Sequence, residues 1–121
     1  MAQVPMTQAL KTLHDKVEAR TASYSDFSNY FKPVLTDTEH VHWGTIAKSA
    51  DSGSLDAAKA LMDAVLPGWV ISIGTENNGE FHVIVGSVSD TSNYAEAFNA
   101  NLARAWLLAI IRALLSQAEG E

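Results

Sequence analysis

NYAEAFNANLARAWLLAIIRALLSQ, residues Asn93 to Gln117, holds most of the chain's continuous apolar surface, and its reading decides the fold. Asn93 suits an N-cap, Glu96 follows three residues later as in a capping box, and no proline interrupts the run, so the spacing predicts one continuous helix. At about 100° per residue, Phe98, Leu102, Ala105, Trp106, Ala109, Ile110 and Ala113 share one broad face. That face is expected to lie on a sheet, the row Ala105, Ala109 and Ala113 allowing the helix to approach closely. Leu108, Ile111 and Leu115, beside Arg104, make a second apolar side, which a helix that merely roofs a sheet would not need. Either the N-terminal helix or a second copy of the chain must cover it, so these four residues are the candidate interaction surface. Two arginines and a short apolar run argue against a membrane span.

Working back, WVISIG and FHVIVGS flank TENNGE, two β-rich runs around an Asn-Gly turn. A loop of Asn77, Asn78 and Gly79, with Gly79 left-handed, pairs Ile73 with Val83 and Ile71 with Val85. One face then collects Trp69, Ile71, Ile73, Phe81, Val83 and Val85, the expected floor for the last helix. Its other face carries Val70, Ser72, Gly74, His82, Ile84 and Gly86 and is only half apolar. The loop Ser87 to Ser92 is expected to lead directly to the C-terminal helix.

Ser54 caps a further helix, SLDAAKALMDAVL, with a stripe of Leu55, Ala58, Leu61, Met62 and Val65, ended by Pro67 and Gly68. Residues 34–53 carry mixed signals. Thr36 with Glu39 fits a capping box and Trp43, Ile46, Ala47 and Ala50 a helical stripe, but His40 to Trp43 alternate as a strand would, and extended structure is expected over 40–46. Met6, Leu10, Leu13 and Val17 give the N-terminal segment a narrow helical stripe suited to the second side of the C-terminal helix, and Tyr24, Phe27 and Phe31 suggest a short helix stopped by Pro33.

With 121 residues, 47% hydrophobic and 18% charged, the chain suits one domain: a helical part over 1–33 and a helix-hairpin-helix unit over 50–117. A net charge of −6 argues against nucleic-acid binding, because affinity for phosphates needs cations and residues 61–121 contain only Arg104 and Arg112. The chain has no cysteine, which excludes disulfides and thiol catalysis, and its first residues have no signal-like apolar stretch; a cytoplasmic protein is expected.

The run SGSLDAAKALMDAVLPGW, the hairpin after it and ARAWLLAIIRALLSQ together resemble the phage ABA sandwich domain family over residues 50–117. The resemblance implies a sheet layered between helices and a bacteriophage or prophage origin, in the host cytoplasm, and it carries no catalytic motif. Both lines lead to the same fold class: an α/β (α+β) domain with a short antiparallel sheet between helices, an αβα-type sandwich.

His40 and His42 are the one spacing that could bind a metal, alternate strand positions sharing a face, with Asp37, Glu39, His14 or His82 as a third ligand. A solvent-facing edge strand explains the pair as well, so no metal or other cofactor is expected. His82 with Glu76 or Glu80 could form an acid/base pair, yet no nucleophile stands beside it and a solvated polar face is the plainer reading. Neither a Gly-x-Ser-x-Gly elbow nor a P-loop or Gly-x-Gly-x-x-Gly occurs. The expected function is therefore non-catalytic: binding of a host or viral protein, or of a small ligand, as a monomer or homo-oligomer. Its rivals are a sponge for a nucleotide signal in antiviral defence, using Arg104, Arg112 or the helix start at Ser54, and a metal-dependent hydrolase using His40 and His42.

Overall fold

The computed structural model describes residues 3–34, 42–89 and 93–120, with side chains over 8–31, 42–89 and 93–117. In chain order the elements are α1 (Gln3–Glu18), α2 (Tyr24–Val34), α3 (Trp43–Asp51), α4 (Leu55–Val65), β1 (Trp69–Thr75), β2 (Phe81–Ser87), β3 (Tyr94–Asn99) and α5 (Leu102–Gly120). The class is α+β, with helices packed against a three-stranded antiparallel sheet of order β1-β2-β3.

The hairpin pairs in the register its alternation requires, Ile71 with Val85 and Ile73 with Val83. Gly79 takes φ +88°, the left-handed turn that lets two twisted strands meet without a slip. Asn78 completes the turn by accepting the Glu80 N–H at 3.0 Å.

The largest departure from expectation lies at residues 93–101. Tyr94 to Asn99 form β3, paired with β2 through Val83 and Ala97 and through Val85 and Ala95, rather than the first turns of a helix. Asn93 is therefore no cap. The cap is Asn101, whose Oδ1 accepts the Arg104 N–H at 3.0 Å, while Asn99 Oδ1 accepts the Asn101 N–H at 2.9 Å and holds the corner.

Once capped, α5 is the axis of the molecule. Every residue from Ala105 to Ile111 is buried, almost two full turns, so cover comes from all directions. Arg112 marks one border of the sheet side by donating from Nη1 to the Glu96 carbonyl at 2.9 Å, and Trp106 marks the other by donating from Nε1 to Met62 Sδ of α4 at 3.0 Å. Between those directions on the helical wheel lie Ala105, Ala109 and Ala113, the row of small side chains expected to meet the sheet. Opposite them the strands present Val83, Val85, Ala95 and Ala97, all buried, so two layers of short side chains meet. The floor of α5 is therefore β2 and β3, and β1 lies outboard. Trp69, Ile71 and Phe81 are half-buried, and Ile73 is 48% exposed.

The remaining helices cover α5 on its far side. α1 packs its Leu10, Leu13 and Val17 into the core, and α3 and α4 also contact α5. Leu108 and Ile111 are buried and Leu115 partly so, which corrects the reading of this side as an interaction surface: the chain covers it with its own helices. The layers thus run sheet, α5, outer helices, and among the described residues no helix lies on the second face of the sheet, unlike the helix-sheet-helix order expected.

Residues 43–46 are helical, not extended, since α3 begins at Trp43. Gly44 is needed where α2 and α3 touch: a Cβ there would come within 2.8 Å of Ser28 Cβ. In α2 the buried aromatics are Phe27, Tyr30 and Phe31, with Tyr24 facing out, and the helix passes Pro33 by one residue. Ser23 and Asp26 cap it reciprocally, the Ser23 N–H donating to Asp26 Oδ2 at 2.9 Å. Ser54 caps α4 as expected, accepting the Ala57 N–H at 3.1 Å, although Leu55 faces solvent rather than the core.

Candidate functional site

Side chains alternate across a strand, so placing Val83, Val85, Ala95 and Ala97 under α5 sends their neighbours to the other face. In the observed register that face has three cross-strand rows: Val70, Gly86 and Tyr94; Ser72, Ile84 and Glu96; Gly74, His82 and Phe98. Three of the largest exposed apolar side chains of the described residues gather here, Val70 and Tyr94 at 56% and Phe98 at 43%.

A polar pair sits among them. His82 Nε2 lies 2.7 Å from Glu96 Oε1, and the His82 ring stacks on Phe98 with centroids 4.1 Å apart and planes 9° from parallel. The stack and the hydrogen bond to Glu96 hold His82 from two sides. Glu96 is thus its carboxylate partner; Glu76 and Glu80, the expected ones, belong to the hairpin turn, where Glu80 accepts from Asn78 Nδ2 at 3.3 Å. Glycine at 74 and 86 keeps the neighbouring positions low, and the result is a flat shelf with aromatic relief along β3.

Both arginines of the C-terminal helix are occupied within the fold. Arg104 donates from Nε to Asp51 Oδ1 at 3.0 Å and from Nη2 to the Asp51 carbonyl at 2.7 Å, tying the end of α3 to the start of α5. Asp51 is buried, and Lys48 Nζ approaches its other oxygen at 3.5 Å. Arg112 donates from Nε to His14 Nε2 at 2.9 Å, from Nη2 to Glu18 at 3.0 Å and from Nη1 to the β3 backbone, joining α1, α5 and the sheet. A phosphate recruiting either guanidinium would have to break these contacts, and the Ser54 side chain is already used in its own helix cap.

His40 lies outside the described residues, so the His40 and His42 pair stands with one member placed: His42 is exposed, in extended backbone at the N-cap of α3. Among the described residues His14, Asp15 and Glu18 bring ligand atoms within 4.8 Å of one another, but His14 Nε2 accepts from Arg112 and its Nδ1 faces Asp15 at 3.2 Å. A guanidinium beside that imidazole opposes a cation, and the group is a structural junction.

The open face of the sheet was missed by sequence reasoning because β3 was missed. A signal was present: Tyr94, Glu96 and Phe98 alternate with Ala95 and Ala97, a period of two with the large side chains outward. Comparisons of the chain with protein-family models, with curated proteins and with solved structures found no match. No helix among the described residues is long and apolar enough to cross a membrane.

Proposed function

We infer that the protein acts by binding a protein partner, and that its contact surface is the open face of the sheet. The observation carrying this is the gathering of Val70, Tyr94 and Phe98 around the His82–Glu96 pair on a face that no described helix covers. Apolar patches rimmed by polar groups mark interaction sites, and exposed aromatics are enriched at their centres. The shape and charge of the face support a protein over other ligands. It is flat where small molecules favour a concave pocket, and its charged residue, Glu96, is an acid in a chain of net charge −6, which does not suit phosphates. The resemblance of residues 50–117 to a phage domain family supports a host or viral protein as the partner.

The test compares tagged wild-type protein with the double variant Tyr94→Ser/Phe98→Ser in parallel cross-linking pull-downs from the cells that carry the gene. Both side chains are exposed, so the variant should keep its circular dichroism. At least one protein should be recovered by the wild type and reduced about tenfold or more by the variant, equivalent to about 1.4 kcal/mol of binding. Its direct binding would then be measured with purified components. Equal recovery of every protein by both baits would refute the assignment.

A further inference from the structure

β1 and β3 bound the sheet, and the chain treats their free edges differently. Glu76 N–H donates to the Glu80 carbonyl at 2.8 Å and Ser87 N–H to the Asn93 carbonyl at 3.0 Å, which sets the parity of both ladders. Odd-numbered residues of β2 bond toward β3 and even-numbered ones toward β1. The backbone groups left pointing outward are therefore those of Tyr94, Glu96 and Phe98 on β3, and of Trp69, Ile71, Ile73 and Thr75 on β1. On β3 the Glu96 carbonyl is taken by Arg112, and the Glu96 carboxylate puts a charge on that edge. On β1 the Trp69 N–H donates to the Leu66 carbonyl at 3.1 Å, and beyond it, among the described residues, the outward groups of Ile71, Ile73 and Thr75 have no backbone partner. The strand, WVISIGT, contains neither a charge nor a proline, the common means of blunting an edge.

We propose that this edge is a homodimer contact, in which β1 strands of two copies pair antiparallel about a twofold axis at Ser72 and join two sheets into one of six strands. The inference stands independently of the binding reading above. Ladder parity allows only odd-numbered residues to form the hydrogen-bonded pairs, and centring on Ser72 uses the full length of the strand, Ile71 meeting the second copy's Ile73 through both hydrogen bonds and Trp69 its Thr75 through the Trp69 carbonyl alone, the Trp69 N–H being held by Leu66.

The side chains favour a second copy as the occupant. Beside β1 runs an open groove of about 320 Å³ lined by Lys59, Met62 and Asp63 of α4, by Trp69, Val70 and Ile71 of β1, and by Trp106 of α5. Ile73, half exposed on that same face, does not line the groove. Twofold pairing sets each Ile73 against the other copy's Ile71, at the mouth of the groove, and does so twice. The uncharged strand also lets two chains of net charge −6 meet without bringing like charges together. A contact this short falls below the roughly 800 Å² per partner of stable complexes, so the dimer is weak and concentration-dependent.

The chain has no cysteine, so Ser72→Cys introduces a single thiol. In the proposed register it faces its own copy as a non-hydrogen-bonded pair with Cα atoms about 4.5 Å apart, within disulfide range. Under mild oxidation it should form covalent dimer at least about tenfold faster than Ser116→Cys, an exposed control on α5, because pairing raises the local thiol concentration. Adding Ile73→Lys should return the rate to that of the control with unchanged circular dichroism. If lysine unsettles the fold, Ile73→Pro removes only an outward N–H and serves instead. Cross-linking no faster than the control, or unaffected by the Ile73 variants, overturns the proposal. Sedimentation of the wild type should show mass rising with concentration, and a monomer throughout the millimolar range would overturn it equally.

Discussion

The two faces of the sheet are built from the same three strands and carry opposite instructions. Toward α5 the strands offer Val83, Val85, Ala95 and Ala97, short side chains that are buried. Away from it they offer Tyr94 and Phe98, far larger and far more exposed. On β3, then, side-chain size and burial run against each other. Close packing explains the covered face, since an alanine-lined helix can lie near the strands only if they too are lined with small groups. Packing does not explain the open face, where apolar surface is left in water at a cost of roughly 25 cal/mol per Å². That asymmetry is the observation behind the proposed contact surface.

The sharpest way to break the comparison is to put the same charge on adjacent residues of β2. Val85→Asp buries an unpaired carboxylate beneath α5 and should cost more than about 5 kcal/mol, leaving no cooperative unfolding transition in circular dichroism. Ile84→Asp, on the opposite face, should unfold cooperatively with a loss of about 1–2 kcal/mol. Similar losses for the two would mean that both faces are covered.

The next effect concerns how α5 is anchored above its floor. Arg104→Met leaves the buried Asp51 carboxylate without its main partner and should cost about 3–5 kcal/mol in chemical denaturation. Arg104→Met/Asp51→Leu, which removes the stranded charge as well, should recover a good part of that. An equal loss in both variants would show the pair to matter through shape rather than charge.

The smallest effect lies in α2, which packs on α1 and α3 rather than on the sheet, and serves as a baseline. The Ser23 N–H, and then the Lys16 ammonium at 3.0 Å, hold the Asp26 carboxyl below its usual 3.8. A lowered folded value stabilises the protein above the unfolded value and loses that contribution as pH falls through the folded one. Asp26→Asn should therefore cost about 0.5–1 kcal/mol at neutral pH, and its deficit against the wild type should close below about pH 3.8. A deficit independent of pH would remove the carboxylate's charge from the explanation.

Much of the fold was legible where local chemistry and tertiary demand agree. The hairpin register followed from alternation and a glycine able to adopt positive φ, and α4 from Ser54 at one end and Pro67-Gly68 at the other. Two places were not legible, and for different reasons. Tyr94 to Asn99 contains alanine and glutamate, good helix formers, and its alternation is inverted, with the small residues buried; only pairing with β2 makes it a strand. Trp43 to Ile46 reads as extended because of the alternation from His40 to Trp43, whereas Gly44 serves the contact of α3 with Ser28, invisible without α2 in place. The candidate site inherited the first error. Reading residues 93–101 as helix places Phe98 in the core and leaves β3 out of the sheet, whereas of the two covers expected for the second side of α5, the N-terminal helix and a second copy, α1 is the one observed, joined by α3 and α4.

Hydroxyl-radical footprinting of the free protein, read residue by residue by mass spectrometry, tests the one-sided sheet most directly. Tyr94 and Phe98 should oxidise rapidly, while Phe27, Phe31 and Leu107, all buried, stay protected. Protection of Tyr94 and Phe98 to the level of Phe27 would mean that a further layer covers that face, and the account would be contradicted.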